Sequence, residues 1–266
     1  MIRRMIAIVA IALTFSVPLR AELKYTMTLT ARPSTVPPAA APPNPLMAVL
    51  AQMLSGTLLP TTPVVMTTIV GPLGIRTEFD KAYVMIPAGG VTIVKPDGTY
   101  IVMDPAKQTY WKTMKPDPAT LGITPIVTSK PTTERATIAG LDALKSIVEI
   151  KLPLPTSPGT QLPPGLPTEF LITAEAWLSA QHKSYVKQMS LSLGALGILG
   201  IEGAALGDGF PARVIVRGEL LGGQELEYVV TAVAEASALP ALFEIPEGYK
   251  EVPPPPMGIG GIGGRQ

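Results

Sequence analysis

Hydrophobic positions recur at every second residue along much of this chain, and the pattern is cleanest near its start. In "ELKYTMTLTA", Leu23, Tyr25, Met27 and Leu29 alternate with Lys24, Thr26, Thr28 and Thr30. Successive side chains of a strand point to opposite faces, so this spacing predicts a first strand with one face buried. From Val64 to Thr113 the β chemistry continues. "VTIVKPDGTYIVMD" sets Pro96-Asp97-Gly98 between two β-branched or aromatic runs, where proline fixes φ and glycine accepts the positive φ of a hairpin turn. Asp104-Pro105 then turns the chain into the strand that holds Tyr110 and Trp111. Turns this short have no room for the crossover that parallel strands need, so the pattern predicts an antiparallel meander. A second set of strands is read in "LDALKSIVEIKLPL", "EFLITAEAWLSAQ", "FPARVIVRGELL" and "QELEYVVTAVAEA", the last two joined at Gly222-Gly223.

Elsewhere the alternation breaks. Residues 32–63 are rich in Pro, Ala and Thr around one helix-compatible island, "PLMAVLAQMLSG", and read as an insertion into a single domain spanning 22–252. A Pro/Gly/Ser-rich loop covers 153–167, and residues 253–266, "PPPPMGIGGIGGRQ", have the composition of a disordered tail. The stretch "LGALGILGIEGAALGDG", Leu193 to Gly209, sets Gly194, Gly197, Gly200 and Gly203 three apart among aliphatic residues. Glu202 interrupts it too early for a membrane span, and it has no lysine or arginine for a phosphate loop. Glycines three apart drift by about 60° per step on a helix and so do not share one face. The expectation is a soft apolar lid across the sheet, with Leu193, Leu196, Leu199 and Ile201 facing what lies beneath.

Composition then sets the class. Hydrophobic residues make up 47% of the 266 positions and charged residues only 15%, which leaves apolar side chains to be housed in a large core or a cavity. Lys+Arg 21 against Asp+Glu 20 gives a net charge of +1, too balanced to draw nucleic acid. Thirty prolines oppose long helices and central parallel strands. The opening "MIRRMIAIVAIALTFSVPLRA" has a basic start at Arg3 and Arg4, an apolar stretch shorter than a membrane span and a small residue at Ala21. It is expected to be a signal peptide, residues 1–21, cleaved before Glu22, leaving no transmembrane segment and placing the protein in the periplasm or outside the cell. With no cysteine, there is neither a disulfide nor a lipid-modified N-terminus, so stability rests on packing.

Candidate chemistry is sparse. "GIGGIG" at Gly258 to Gly263 lacks the strand before it and the helix after it that a dinucleotide fold requires. "SYVK", Ser184 to Lys187, lacks the partner motifs of penicillin-recognising enzymes. His182 is the only histidine, which excludes a histidine metal cluster, and its polar neighbours read as a solvated turn. The pairs Glu225/Glu227 and Glu78/Asp80 each share a strand face and read as solvent-facing charge, with acid–base work or cation binding as the alternative. The large aromatics Trp111, Trp177, Tyr110 and Phe170 read as core or cavity-lining residues. No catalytic group, cofactor or metal is therefore expected; a hydrolase built on Ser184 or a carboxylate pair is the weakest alternative.

Several phrases carry a resemblance. "GGVTIVKPDGTYIVMDPAKQTYW", "AEAWLS", "GFPARV" and "LPALFEIPEGYKEV" resemble an uncharacterised bacterial family of exported domains of unknown function (the domain of unknown function 4412 type), over roughly Gly74 to Val252. That family is similar in layout to the carriers and receptors that ferry lipoproteins to the outer membrane. Its terminal "F-x-x-P-x-G-Y" cap matches Phe243, Pro246, Gly248 and Tyr249. The resemblance implies a mainly β (α+β) fold: a curved antiparallel sheet or half-barrel, with one or two helices packed on or across it, around an apolar interior for a lipid or acyl chain. The expected function is non-enzymatic binding of a lipid or lipidated protein in the cell envelope, with Trp111 and Trp177 among the apolar lining. A ligand-free interaction module using the Pro-rich segments is the alternative. Oligomeric state is not legible.

Overall fold

The structure is a computed structural model that describes residues 22–35, 51–52, 55–56, 59–114, 125–153, 168–186, 206–237 and 239–255. Its described residues form one curved, open sheet of twelve strands. In chain order these are β1 (Glu22–Pro33), β2 (Val64–Gly71), β3 (Gly74–Phe79), β4 (Val91–Val94), β5 (Thr99–Asp104), β6 (Thr109–Met114), β7 (Ile126–Ile138), β8 (Leu141–Pro153), β9 (Glu169–Ser179), β10 (Phe210–Gly218), β11 (Gln224–Ala236) and β12 (Lys250–Glu251). Across the sheet the order is β12-β6-β5-β4-β3-β2-β1-β11-β10-β9-β8-β7. Two antiparallel meanders are thus joined where β1 pairs with β11, and only the short β12 runs parallel to its neighbour, β6.

The alternation in β1 does what its spacing dictates. Leu23, Tyr25, Met27 and Leu29 are buried and Lys24 is exposed. Register carries that inner face outward from β1 through Met66 and Thr68 on β2, Thr77 on β3, Thr92 on β4 and Val102 on β5 to Trp111 on β6. On the other side it passes through Tyr228 on β11 and Val214 on β10 to Ala176 on β9 and Ser146 on β8. Aliphatic side chains from all these strands form the main core, tied across strands by the edge-on contact of Tyr25 with Phe210, 5.5 Å between ring centroids. A hydroxyl seam crosses this face: Thr68 and Thr77 bond each other at 3.0 Å, and the Tyr100 hydroxyl bonds Thr92. Burial pushes Tyr100 up to about 12, against the weaker lowering effect of that Thr92 bond.

The turn chemistry holds as read. Gly98 takes φ +86 and its N–H donates to the Lys95 carbonyl at 3.0 Å, closing the β4–β5 hairpin. Gly222 and Gly223 take φ +60 and +79, but they follow a 3-10 turn at Glu219–Leu221, so the β10–β11 connection is longer than the dipeptide suggested. β1 extends through Arg32 and Pro33, two residues into the Pro-rich segment. Ala51, Gln52, Ser55 and Gly56 are helical, within the helix-compatible island. The signal segment and most of the 153–167 loop lie outside the described residues.

Two strands, β7 and the two-residue β12, were not read in the sequence. β7, "IVTSKPTTERATI", is an edge strand whose residues are mostly exposed, so it has no buried face to impose alternation. Lys130, Pro131 and a register shift between Pro131 and Arg135 interrupt its free edge, the devices that keep an edge from pairing with another chain.

The C-terminal segment covers the outer face of the β3–β6 half. Val91, Ile93, Ile101 and Met103 lie there as two cross-strand pairs, and Phe243, 1% exposed, packs on them from the 3-10 turn Pro240–Phe243. Arg76 donates from Nη1 to the Leu242 carbonyl at 2.9 Å, and Lys95 pairs with Glu244 at 2.7 Å. Gly248 turns at φ +90 to deliver β12 to the sheet edge. Deleting so large a buried ring leaves a cavity over two strand pairs. Phe243→Ala is expected to lower unfolding free energy by about 3–5 kcal/mol in chemical denaturation, at unchanged denaturant dependence; a loss below about 1 kcal/mol would show that the cap is not part of the cooperative core.

Candidate functional site

Most inner-face side chains of the described strands are buried, and a groove borders the β5–β6 margin. This groove, of about 560 Å³, is lined by Trp111, Val102, Ile86, Met85 and Val84, with Val252, Pro253 and Pro255 from the end of the described chain. Trp111 is held by β6 against Tyr100 of β5, with ring centroids 6.1 Å apart, and is 8% exposed. The wall opposite in sequence is the turn Tyr83–Ile86, closed by reciprocal N–H to carbonyl bonds of 2.9 Å. Its tip, Val84, sits at φ +55, a left-handed conformation that a β-branched side chain adopts only under constraint, and it presents its apolar side chain to solvent. Asp104, Lys107 and Thr109 supply the polar rim. Lys107 donates to Asp104 at 2.9 Å, and that bond holds the Asp104 carboxyl below its ordinary range. The rim pair neutralises itself, so the groove offers an apolar floor and no net charge.

Trp177 lies on the other side of the sheet. Strand register places it with Lys145 and Arg213 on the outer face, and Trp111 on the inner one. Both cations stack on the Trp177 ring, at 5.1 Å for Lys145 and 4.7 Å for Arg213, and add to the apolar contacts that bury it. This ring belongs to a charge ladder that crosses six strands. Glu134 of β7 meets Lys145 of β8 at 3.1 Å, Lys145 meets Glu175 of β9 at 2.7 Å, and Glu175 bonds Arg217 of β10. Arg217 meets Glu225 of β11 at 2.7 Å, and Arg32 of β1 reaches both Glu225, at 2.5 Å, and Glu227, at 3.1 Å. Arg213 completes it with Glu227 at 2.5 Å. Glu225 and Glu227 are therefore not solvent-facing as their alternation suggested: the Glu225 side chain is fully buried beneath two guanidinium groups.

The remaining candidates do not converge on one another. His182 takes φ +59 beside a 3-10 turn and sets its ring edge-on to Phe210 at 6.0 Å. Glu78 pairs with Arg76 at 2.9 Å, and Asp80 accepts the Val65 N–H at 2.7 Å. Among the described residues, no three His, Cys, Asp or Glu side chains gather as a metal site requires, and no helix is long and apolar enough to cross a membrane. Leu193, Leu196, Leu199 and Ile201 lie outside the described residues. The chain leaves for that stretch at Val186 and returns at Leu206, both buried in the main core, and Ser129 donates to the Leu206 carbonyl at 3.3 Å. Of the groove lining, the sequence indicated Trp111 alone; Val84, Met85, Ile86, Val102 and Val252 are among the residues it did not indicate.

The ladder makes a pH prediction. Burial alone would raise the pKa of Glu225, but the bonds and charges of Arg32 and Arg217 outweigh it and hold the group below the ordinary glutamate value; Lys145 and Arg217 do the same for Glu175. A carboxylate whose folded pKa is depressed contributes stability above the unfolded pKa and loses it as pH falls toward the folded one. Unfolding free energy is therefore expected to hold steady from neutrality down to about pH 5 and then drop through the glutamate range. Glu225→Gln, which removes one carboxylate from each of two guanidinium groups and leaves Arg32 with Glu227 and Arg217 with Glu175, is expected to cost about 2 kcal/mol at pH 7 and to flatten that acid limb; an unchanged limb in urea titrations at stepped pH would refute it.

No family model matches the chain, and no curated protein matches it. Among solved structures, it is similar to the crystal structure of a LolA superfamily protein from Nitrosomonas europaea, at 9% identity over 85% of this chain and 91% of that one. The TM-score of that superposition is 0.33, too low to establish a shared fold, so the sheet described above stands on its own register.

Proposed function

We propose that this is a cell-envelope protein that binds an apolar ligand, a lipid or the acyl portion of a lipidated protein, in the groove over Trp111, without catalysing a reaction. The observation that carries this reading is the groove itself. It lies on the inner face beside an aromatic floor, with Val84 and Val252 left more than a third exposed at its margin. Apolar surface in that position is what ligand grooves present, and a drug-sized or acyl ligand fits a volume of several hundred Å³. The self-neutralised Asp104–Lys107 pair at the rim leaves recognition to apolar contact. Export rests on the basic and apolar opening segment.

Native mass spectrometry of the purified protein with extracted envelope lipids tests the reading. Lipid adducts are expected on the parent protein. Removing the floor in Trp111→Ala withdraws about 1.5–3 kcal/mol of apolar contact, so binding is expected to weaken by roughly tenfold or more. Trp177→Phe, on the outer face, is expected to leave binding unchanged. An interior that takes up no lipid, or equal loss from both substitutions, would overturn the assignment of the site.

A further inference from the structure

Part of the groove's margin is supplied by the segment that follows β12. Val252, Pro253 and Pro255 line it together with Trp111 and Val84. β12 holds this segment to the sheet through the Lys250 N–H to the Gln108 carbonyl and the Val252 N–H to the Tyr110 carbonyl, both 2.9 Å, and through the Tyr110 hydroxyl to Glu251 at 2.8 Å. Beyond Val252 that anchoring stops for a covalent reason. Pro253 to Pro256 carry no N–H, so none of them can donate to the β6 edge. Consecutive prolines also favour a stiff, extended backbone, so the segment leaves its hinge as a rod. Pro253 to Pro255 are themselves exposed, while Trp111 beneath them keeps only 8% exposure.

We propose that Pro253–Pro255 is a displaceable strap over the Trp111 groove, so that an apolar ligand and the strap compete for the same surface. The proposal rests on the groove being the ligand site, as set out above. Lifting the strap breaks no backbone N–H bond from the prolines, only their apolar contact with the groove walls. Displacement leaves the rod tethered at β12, ready to close again when the ligand departs. The strap thereby sets the fraction of molecules with an open groove, and apparent affinity scales with that fraction.

The test uses N-phenyl-1-naphthylamine, whose fluorescence rises in apolar sites, and acrylamide quenching of Trp111 in a Trp177→Phe background, where Trp111 is the only indole. The full chain is compared with a chain ending at Val252 and with the full-length Pro253→Gly/Pro255→Gly variant, which keeps the tail but loses the rod. Circular dichroism melts confirm that each is folded; if the truncated chain is not, the double-glycine variant decides. Quenching of Trp111 is expected to increase in both variants, and the probe is expected to bind roughly tenfold tighter if the strap is closed in about nine molecules of ten. Unchanged quenching overturns the strap, whatever the probe does. Weaker probe binding with increased quenching also overturns it, since the prolines would then be part of the binding surface and not its competitor. Increased quenching with no probe bound by any form keeps the strap and overturns the ligand reading of the groove.

Discussion

Everything in this sheet depends on the seam where β1 meets β11. Their register runs the whole length of both strands, from Glu22 opposite Ala236 to Pro33 opposite Gln224. Each meander on either side can form from neighbouring hairpins, but only this pairing of strands some two hundred residues apart makes them one inner face. Closing so long a loop costs entropy that grows only slowly with its length, and the return is continuous burial from Trp111 to Ala176. The charge ladder pins the same seam from outside. Arg32 is on β1, its partners Glu225 and Glu227 on β11, and the bonds among them cross the boundary between the two halves.

A sheet has two faces, and this one treats its outer face in two ways. Over β4 and β5 the face is aliphatic and the C-terminal cap covers it with Phe243. Over β8–β11 no such cap is described; Ile215 and Trp177 are buried instead beneath the stems and stacked head groups of alternating Arg, Glu and Lys. Buried carboxylates such as Glu225 would be costly alone and are tolerable because each meets more than one cation. The cap has a further consequence for the site. Having reached the outer face and then paired β12 with the β6 edge, the chain continues beside the inner-face groove, which is why Pro253 and Pro255 border Trp111.

Much of the framework was legible in the chain because local physics specifies it. The period-2 run at Glu22 and the Pro96-Asp97-Gly98 turn each act over a few residues and each appears in the structure where it was read, while the "F-x-x-P-x-G-Y" cap was read from the family resemblance. β7 was not legible, since an exposed edge strand has no buried face to enforce alternation. The groove was half legible: Trp111 was identified as a lining residue, but Val84 and Met85 come from a turn before β4 and Val252 from the segment after β12.

The two tryptophans show where the division falls. By itself the sequence determined that both sit on strands, that the strands form an antiparallel β sheet, and that a surplus of apolar side chains must be buried, because turn geometry and side-chain alternation are short-range constraints. Which face each tryptophan occupies was decided only by the register of β strands far apart in the chain. That register put Trp111 over an apolar groove and Trp177 between Lys145 and Arg213. It also turned Glu225 from an apparent surface charge into a buried one, because its neutralising partners, Arg32 and Arg217, arrive from the two strands that flank β11. A strand's pattern tells that its two faces differ; which face becomes the inside depends on what the tertiary structure lays against it.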